Sequence, residues 1–285
     1  MWYKENRYLK KIELAKQFLK SNLAVLQCPI CEDTFISVAE HQLLCVNGHS
    51  FDFAKNGTLY FLAKQMKSEY TREMLQHRRA FLQAGFFQPF LSEIASRIVP
   101  DSLVLDVGCG EGTPVQQLNA QIPARYIGFD ISKPAIQLAS DYNSDGWFCA
   151  ADLARMPFAE HRLDTILNIF SPSQYQEFKR VLKPGGQLIK VIPNAGYLHE
   201  LRELLYHGQA KESYDHGPVL ALFAQHFPDY QELQIQKTLS LTPETLRDLV
   251  EMTPLTWTAS KEQLAAITLA VLPEISLDVT ILVGK

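Results

Sequence analysis

The stretch Val104-Leu105-Asp106-Val107-Gly108-Cys109-Gly110-Glu111-Gly112 decides the fold. Its apolar, β-branched beginning reads as a strand, and the glycines that end it open into helix-compatible sequence. A pyrophosphate-binding turn would read G-x-G-x-x-G. Here the glycines run G-x-G-x-G, position 113 is Thr, and an acid, Asp106, stands before them. A carboxylate at the mouth of such a loop repels a phosphate and suits a ligand with a cationic or neutral head, such as an amino acid or a sulfonium.

Downstream, strand and helix patterns alternate. Arg125–Asp130 (RYIGFD) ends in an acid 18 residues after Gly112, where a carboxylate can accept both hydroxyls of a ribose. A helix follows from Lys133 to about Tyr142, and the next strand (WFCA) ends near Ala151-Asp152-Leu153, where an acid and backbone can read an adenine edge. DTILNIF, a helix at 173–182, a Pro-Gly-Gly turn at 184–186, QLIKVIP and a helix through HELRELLY continue the series. LQIQKTLSL, helices after Pro243 and at 260–271, and SLDVTILVG close it. This alternation predicts parallel strands joined by right-handed crossovers, a doubly wound α/β sheet with an antiparallel pair at its edge.

Upstream, the text changes to short, turn-rich pieces, preceded by a helix over 8–20 and followed by helical spacing at 70–84 and 88–98. Cys28, Cys31, Cys45 and His49 stand as C-x2-C-x13-C-x3-H, four soft ligands at the short spacings of two knuckles. The Asn47-Gly48 step suits the turn that the second knuckle needs. Four protein ligands leave no open coordination position, so the site reads as structural zinc; His41 lacks the paired spacing and ranks below His49.

The 285 residues are 47% hydrophobic and 20% charged, which excludes disordered, collagenous and coiled-coil classes. No apolar run approaches the roughly 18 residues of a membrane span, and the first twenty residues have no apolar core or cleavage site. A cytoplasmic protein without membrane partners is expected. Five cysteines, an odd number, argue against a disulfide framework. Net charge is −4, but residues 1–100 carry +4 and residues 101–285 carry −8, so the N-terminal third is the better polyanion surface.

The glycine loop and the acids after the next two strands resemble motifs I to III of the class I S-adenosylmethionine methyltransferases. With the knuckle placed before them, the chain from about Cys28 onward resembles the 23S ribosomal RNA guanine-N1 methyltransferases of the RlmA type. The matching text is CPIC, C-x3-HSFDFAKNG, HRRAFLQAGFFQPF, DVGCGEG, FDISKPAI, MPF, IFSP, VLKPGG and P-x-x-x-Y-L-x-E-L. The resemblance implies a Rossmann-like, seven-stranded methyltransferase sheet with a small zinc-binding domain. Its expected parts are a helical extension at 1–25, the zinc domain at 26–65, a helical connector at 66–100 and the methyltransferase domain at 101–285.

It further implies zinc on Cys28, Cys31, Cys45 and His49, and S-adenosylmethionine along Asp106, Gly108, Gly110, Glu111, Gly112, Asp130 and Asp152. Phe87 falls where relatives often have Tyr, and Tyr197 where they have His; both join the expected cofactor set. Asn168, Ser171 and Glu200 are pocket candidates, and no residue declares itself as a base. Lys55, Lys64, Lys67, Arg72, Arg78 and Arg79 are the expected phosphate contacts. The implied reaction is methylation of N1 of a guanine in a 23S rRNA hairpin loop, with a homodimer left open. The alternative is a methyltransferase of a small molecule in which zinc serves as scaffold.

Overall fold

The computed structural model describes residues 9–64, 70–142, 146–209 and 212–285. The chain divides into two units, residues 1–69 with 97–188 and residues 70–96 with 189–285. The first begins with α1 (Lys11–Asn22), then β1 (Phe35–Val38), β2 (Gln42–Cys45) and β3 (Ser50–Asp52), an antiparallel three-stranded sheet in that order. A two-residue strand, β4 (Leu59–Tyr60), follows.

The unit resumes with β5 (Leu103–Val107), α4 (Thr113–Gln121), β6 (Arg125–Asp130), α5 (Lys133–Ala139), β7 (Gly146–Ala150), β8 (Leu163–Ile169), α6 (Tyr175–Val181) and β9 (Leu182–Pro193). All five residues of β5 are buried, as a strand covered on both faces requires. The order β9-β8-β5-β6-β7-β4 puts β5 inside the sheet. It pairs in parallel with β6 and β8, so that Asp106 lies opposite Gly128 and Leu167.

The three-stranded sheet is tied to this larger one by backbone. β4 pairs in parallel with β7, Leu59 opposite Cys149. Gln27 N donates to Pro157 O at 3.0 Å, and Ala159 N to Val25 O at 2.8 Å. Arg180 donates to Phe158 O at 2.6 Å and to Gln27 Oε1 at 3.1 Å while its Nε meets Glu177 Oε1 at 2.6 Å. Arg155 reaches Glu32 Oε1 at 2.9 Å. The sheet therefore has one strand more than the seven expected, because β4 extends its β7 edge. The Pro-Gly-Gly segment lies within β9 instead of forming a turn before it, with Gly185 at φ +79° inside the strand.

The second unit holds α2 (Arg72–Gln83), α3 (Gln88–Ala95), the end of β9, α7 (His199–Tyr206), α8 (Gly217–His226), β10 (Gln231–Ser240), α9 (Pro243–Met252), α10 (Lys261–Ala266) and β11 (Glu274–Gly284). β10 and β11 pair antiparallel from Gln231 opposite Val283 to Ser240 opposite Glu274, the expected edge pair. β11 is buried along nearly its whole length, and β10 beside it is largely exposed. Thr71 caps α2 by accepting from Met74 N, and His77 Nδ1 lies 2.8 Å from Asp248 Oδ1 of α9. α10 stops at Ala266, short of the expected 271, where Ile267 and Thr268 bring β-branched side chains and Pro273 stands ahead. No helix among the described residues is long and apolar enough to cross a membrane.

Candidate functional site

The four metal-ligating side chains converge. One ligand atom from each of Cys28, Cys31, Cys45 and His49 lies within 4.8 Å of all the others. Cys28 Sγ is 3.6 Å from His49 Nδ1, and Cys31 Sγ is 3.5 Å from Cys45 Sγ. Tetrahedral zinc with Zn–S near 2.3 Å separates its sulfurs by about 3.8 Å, so the donor set fits the ion. The first knuckle closes through Glu32 N to Cys28 O at 2.8 Å, the second through Gly48 N to Cys45 O at 3.0 Å. Gly48 sits at φ +81° with open space where a Cβ would be, so backbone conformation alone calls for glycine there. The Asn47 amide, 3.4 Å from Cys31 Sγ, leads the effects that bring that thiol down to about 6. Burial pushes Cys45 up to about 11.

The second constellation lies at the carboxyl ends of β5, β6 and β7. Asp106, at the end of β5, is 2% exposed, and Glu111 is fully buried. Asp130 organises the glycine loop: its Oδ2 accepts from Gly110 N at 3.0 Å and its Oδ1 from Ser132 N at 2.8 Å. Asp152 is exposed and accepts from Ala154 N at 2.9 Å. Gly108 has φ +70°, and a Cβ on it would come within 2.7 Å of Ser171 Cβ. The structure thus sets Asp106, Asp130 and Asp152 at the carboxyl ends of neighbouring strands, with Asp130 bonded to the glycine loop. Burial, then the charges of Asp106 and Asp130, push the Cys109 thiol well above its ordinary pKa. Cys109 is held as a neutral thiol, not as a nucleophile.

Two of the pocket candidates serve this loop directly. Asn168, fully buried, donates to Ser171 Oγ at 2.6 Å and to Pro172 O at 2.9 Å, and Ser173 Oγ donates back to Asn168 Oδ1 at 3.0 Å. Ser171 Oγ donates to Val107 O at 2.6 Å. Together they pin the segment after β8 against the end of β5. The third candidate, Glu200, lies in the second unit, where it accepts from Ser276 N at 3.0 Å and Ser276 Oγ at 2.5 Å.

Phe87 and Tyr197 also belong to the second unit. Phe87 is fully buried, packed on Phe90 at 4.8 Å and Phe86 at 5.8 Å, with Arg78 over its ring. Tyr197 lies 6.2 Å from the Phe86 ring. Among the basic candidates, Lys55 and Lys64 of the first unit and Arg72 of the second are exposed, whereas Arg78 and Arg79 are half-buried. Lys67 lies outside the described residues. Arg202 and Tyr214, which the sequence did not single out, meet in the second unit with Arg202 Cζ 5.9 Å from the Tyr214 ring.

Comparisons with known proteins agree with this geometry. Residues 26–69 match the family model described as "RlmA, N-terminal", and residues 104–186 the "Methyltransferase domain" model. YxjB of Bacillus subtilis (strain 168), named among the 23S rRNA (guanine-N(1)-)-methyltransferases, is 34% identical over 92% of this chain and 98% of its own. The 23S rRNA (guanine(748)-N(1))-methyltransferase of Streptomyces fradiae is 29% identical over 93% and 98%. A solved methyltransferase structure from Anabaena variabilis ATCC 29413 shares the fold, with TM-score 0.51 and 13% identity over 69% of this chain and 96% of that one. A ribbon with a converging Cys/His set, followed by an acid-flanked glycine loop, in a chain matched along nearly its full length, places it in the 23S rRNA guanine-N1 methyltransferase family.

Proposed function

We propose that the protein methylates N1 of a guanine in a hairpin loop of 23S rRNA, using S-adenosylmethionine. The observation that carries the reading is the union, in one unit, of a zinc ribbon of the RlmA type with the acid-bearing loop after β5. The cofactor, when bound, supplies an electrophilic methyl on a sulfonium. In this reading Gly108, Gly110 and Gly112 let the loop approach it closely, Asp106 and Glu111 face its cationic amino-acid end, Asp130 takes the ribose hydroxyls, and Asp152 reads the adenine edge. The buried, hydrogen-bonded placement of the loop supports this assignment, since preorganised groups cost no reorganisation when the methyl moves. Zinc on Cys28, Cys31, Cys45 and His49 shapes the ribbon and takes no part in the transfer.

The ribbon and the flanking Lys55 and Lys64 are assigned to the RNA, as polyanion contacts. A base whose edge must be methylated has to leave its stack, which a hairpin loop makes inexpensive. Nucleoside mass spectrometry after incubation with S-adenosylmethionine and unmodified 23S transcript tests the proposal. A new 1-methylguanosine is expected. Cofactor binding with no methylated nucleoside, on free transcript and on ribosomal particles alike, would favour the small-molecule enzyme.

A further inference from the structure

Two lines of hydrogen bonds run from the first zinc knuckle to the segment that carries Asp152, and both lie within the first unit. The shorter one passes through Arg155. Asp152 closes a turn onto that arginine: its carbonyl accepts from Arg155 N at 3.1 Å, and its Oδ1 accepts from Ala154 N at 2.9 Å. Arg155 then reaches the knuckle, its Nη2 lying 2.9 Å from Glu32 Oε1 and 3.4 Å from Ile30 O. The pair with Glu32 is exposed on both sides, so water screens it and it holds the turn only lightly.

The second line is better protected. Arg180 of α6 engages every N–H of its guanidinium. Nε lies 2.6 Å from Glu177 Oε1 and Nη2 2.7 Å from Glu177 Oε2. Nη2 also donates to Met156 O at 3.2 Å, and Nη1 donates to Phe158 O at 2.6 Å and to Gln27 Oε1 at 3.1 Å. Glu177 Oε2 accepts in turn from Met156 N at 2.9 Å, so both backbone polar groups of Met156 are fixed. Met156, Pro157 and Phe158 are buried. Gln27 stands next to the zinc ligand Cys28, and its Nε2 donates to the carbonyl of Glu32, whose N–H closes the knuckle on Cys28 O. The Gln27 amide is therefore a relay, with one end on the knuckle and the other on the arginine that holds 156–158. Backbone runs alongside it, through Gln27 N to Pro157 O and the bridge between Leu26 and Phe158.

The three acids of the cofactor site differ in what supports them. Asp106 is buried in the sheet, and Asp130 is fixed by Gly110 N and Ser132 N. Asp152 is exposed, and its turn leans on the knuckle. In a module of this kind metal binding and folding are one free energy, so zinc fixes the backbone on which Gln27 and Glu32 stand. A ligand that has to order its own site binds more weakly than one whose site is ordered beforehand. Resting on the reading above of Asp152 as the contact to the adenine edge, we propose that Gln27 and Arg155 are positioning residues for that contact. Through them, zinc and S-adenosylmethionine bind with positive coupling. Each tightens the other by the same factor, because coupling between two sites is reciprocal. Zinc still enters no chemical step; it sets how well the adenine end of the site is formed before the cofactor arrives.

Equilibrium competition for zinc between the full chain and a chromogenic chelator, with and without saturating S-adenosylmethionine, tests the proposal. The cofactor should tighten zinc about tenfold, and calorimetry on zinc-loaded and zinc-stripped chain should give the same factor for the cofactor. In Q27L/R155A, which keeps all four ligands, that factor should fall below about threefold. The factor decides the matter, because a general loss of stability weakens zinc with and without cofactor alike and cancels in the ratio. A factor near one in the wild type, or one that Q27L/R155A leaves unchanged, would overturn the proposal. Hydrogen exchange on the zinc-loaded chain is a second arm that needs no stripped protein. S-adenosylmethionine should slow exchange across 27–33 as well as 152–158, and protection that stops at 152–158 would also overturn it. D152A separates the coupling from the reading beneath it: the zinc-loaded variant should bind the cofactor about tenfold more weakly. Undiminished binding would withdraw the adenine contact and this route with it, whereas weakened binding beside a wild-type factor of one would sink the coupling alone.

Discussion

Gly108 shows how one missing Cβ sets the geometry of the loop. At φ +70° an L side chain is strained, and its Cβ would press on Ser171, which is itself bonded to Val107 O. Gly108→Ala should cost about 2–4 kcal/mol from the backbone and overpacking terms together. In a Ser171→Gly background the steric share should vanish, leaving a coupling of about 1 kcal/mol in a denaturant double-mutant cycle. Strict additivity would show that the two residues do not press on each other. Lys190, 4% exposed on β9, is a second residue whose environment can be read as energy. Burial holds its ammonium at about 8, below the ordinary 10.5. The folded chain then binds fewer protons than the unfolded one between those values, so stability should rise as pH climbs from 8 to 10.5, by about 3 kcal/mol in all. Urea midpoints across that range would show the rise, and Lys190→Met, already free of the charge, should lack it. Asn168, Ser171 and Glu200 were legible as polar residues near strand ends. The local bonds of Asn168 to Ser171 and Pro172 carry no sequence signal, and the partners of Ser171 and Glu200, Val107 O and Ser276, come from segments distant in sequence.

At the scale of elements, the zinc ribbon and the larger sheet depend on each other through the β4–β7 pairing. The ribbon's fold was legible because four ligands at knuckle spacing leave one chemical solution. The glycine loop and its acids were equally plain, since each sits where a strand must end. β4 was not: two residues carry no periodicity, and only the open edge of β7 makes Leu59–Tyr60 a strand. Arg202 and Tyr214 escaped for a related reason, as neither stands in a motif and they meet each other only after folding. The coupling of ribbon to sheet has a spectroscopic reporter. Trp147 donates Nε1–H to Gly57 O at 3.2 Å, and its ring lies 6.4 Å from Phe61 and 6.5 Å from Phe18. Stripping zinc with a strong chelator should unfold the ribbon, because ligand binding and folding are one free energy in such modules. In a Trp2→Phe, Trp257→Phe background the remaining indole emission should shift to the red as zinc leaves and return when it is restored. Unchanged emission after complete zinc loss would mean that the ribbon stands on its apolar contacts alone.

The whole molecule is acidic, yet it is proposed to bind a polyanion, and charge placement decides whether that is reasonable. Residues 101–285 carry −8, which repels RNA from most of the surface, while residues 55–100 carry +4. Lys55 and Lys64, both exposed, flank β4 at the point where the ribbon meets the sheet. Each phosphate they neutralise releases condensed counterion, so affinity should fall steeply with salt, by about 0.7 in slope per contact on a single strand. Replacing both by glutamine removes two such contacts without adding a clash, since neither side chain is packed. The logarithmic salt slope should flatten by between about 1 and 1.5, and binding should weaken by a similar factor for hairpins of any loop sequence. Fluorescence anisotropy with two hairpins, one carrying a loop guanine and one with that base changed to adenine, separates this from base reading. A loss confined to the guanine hairpin would move the lysines into the recognition of the base, and an unchanged slope would take them off the RNA altogether.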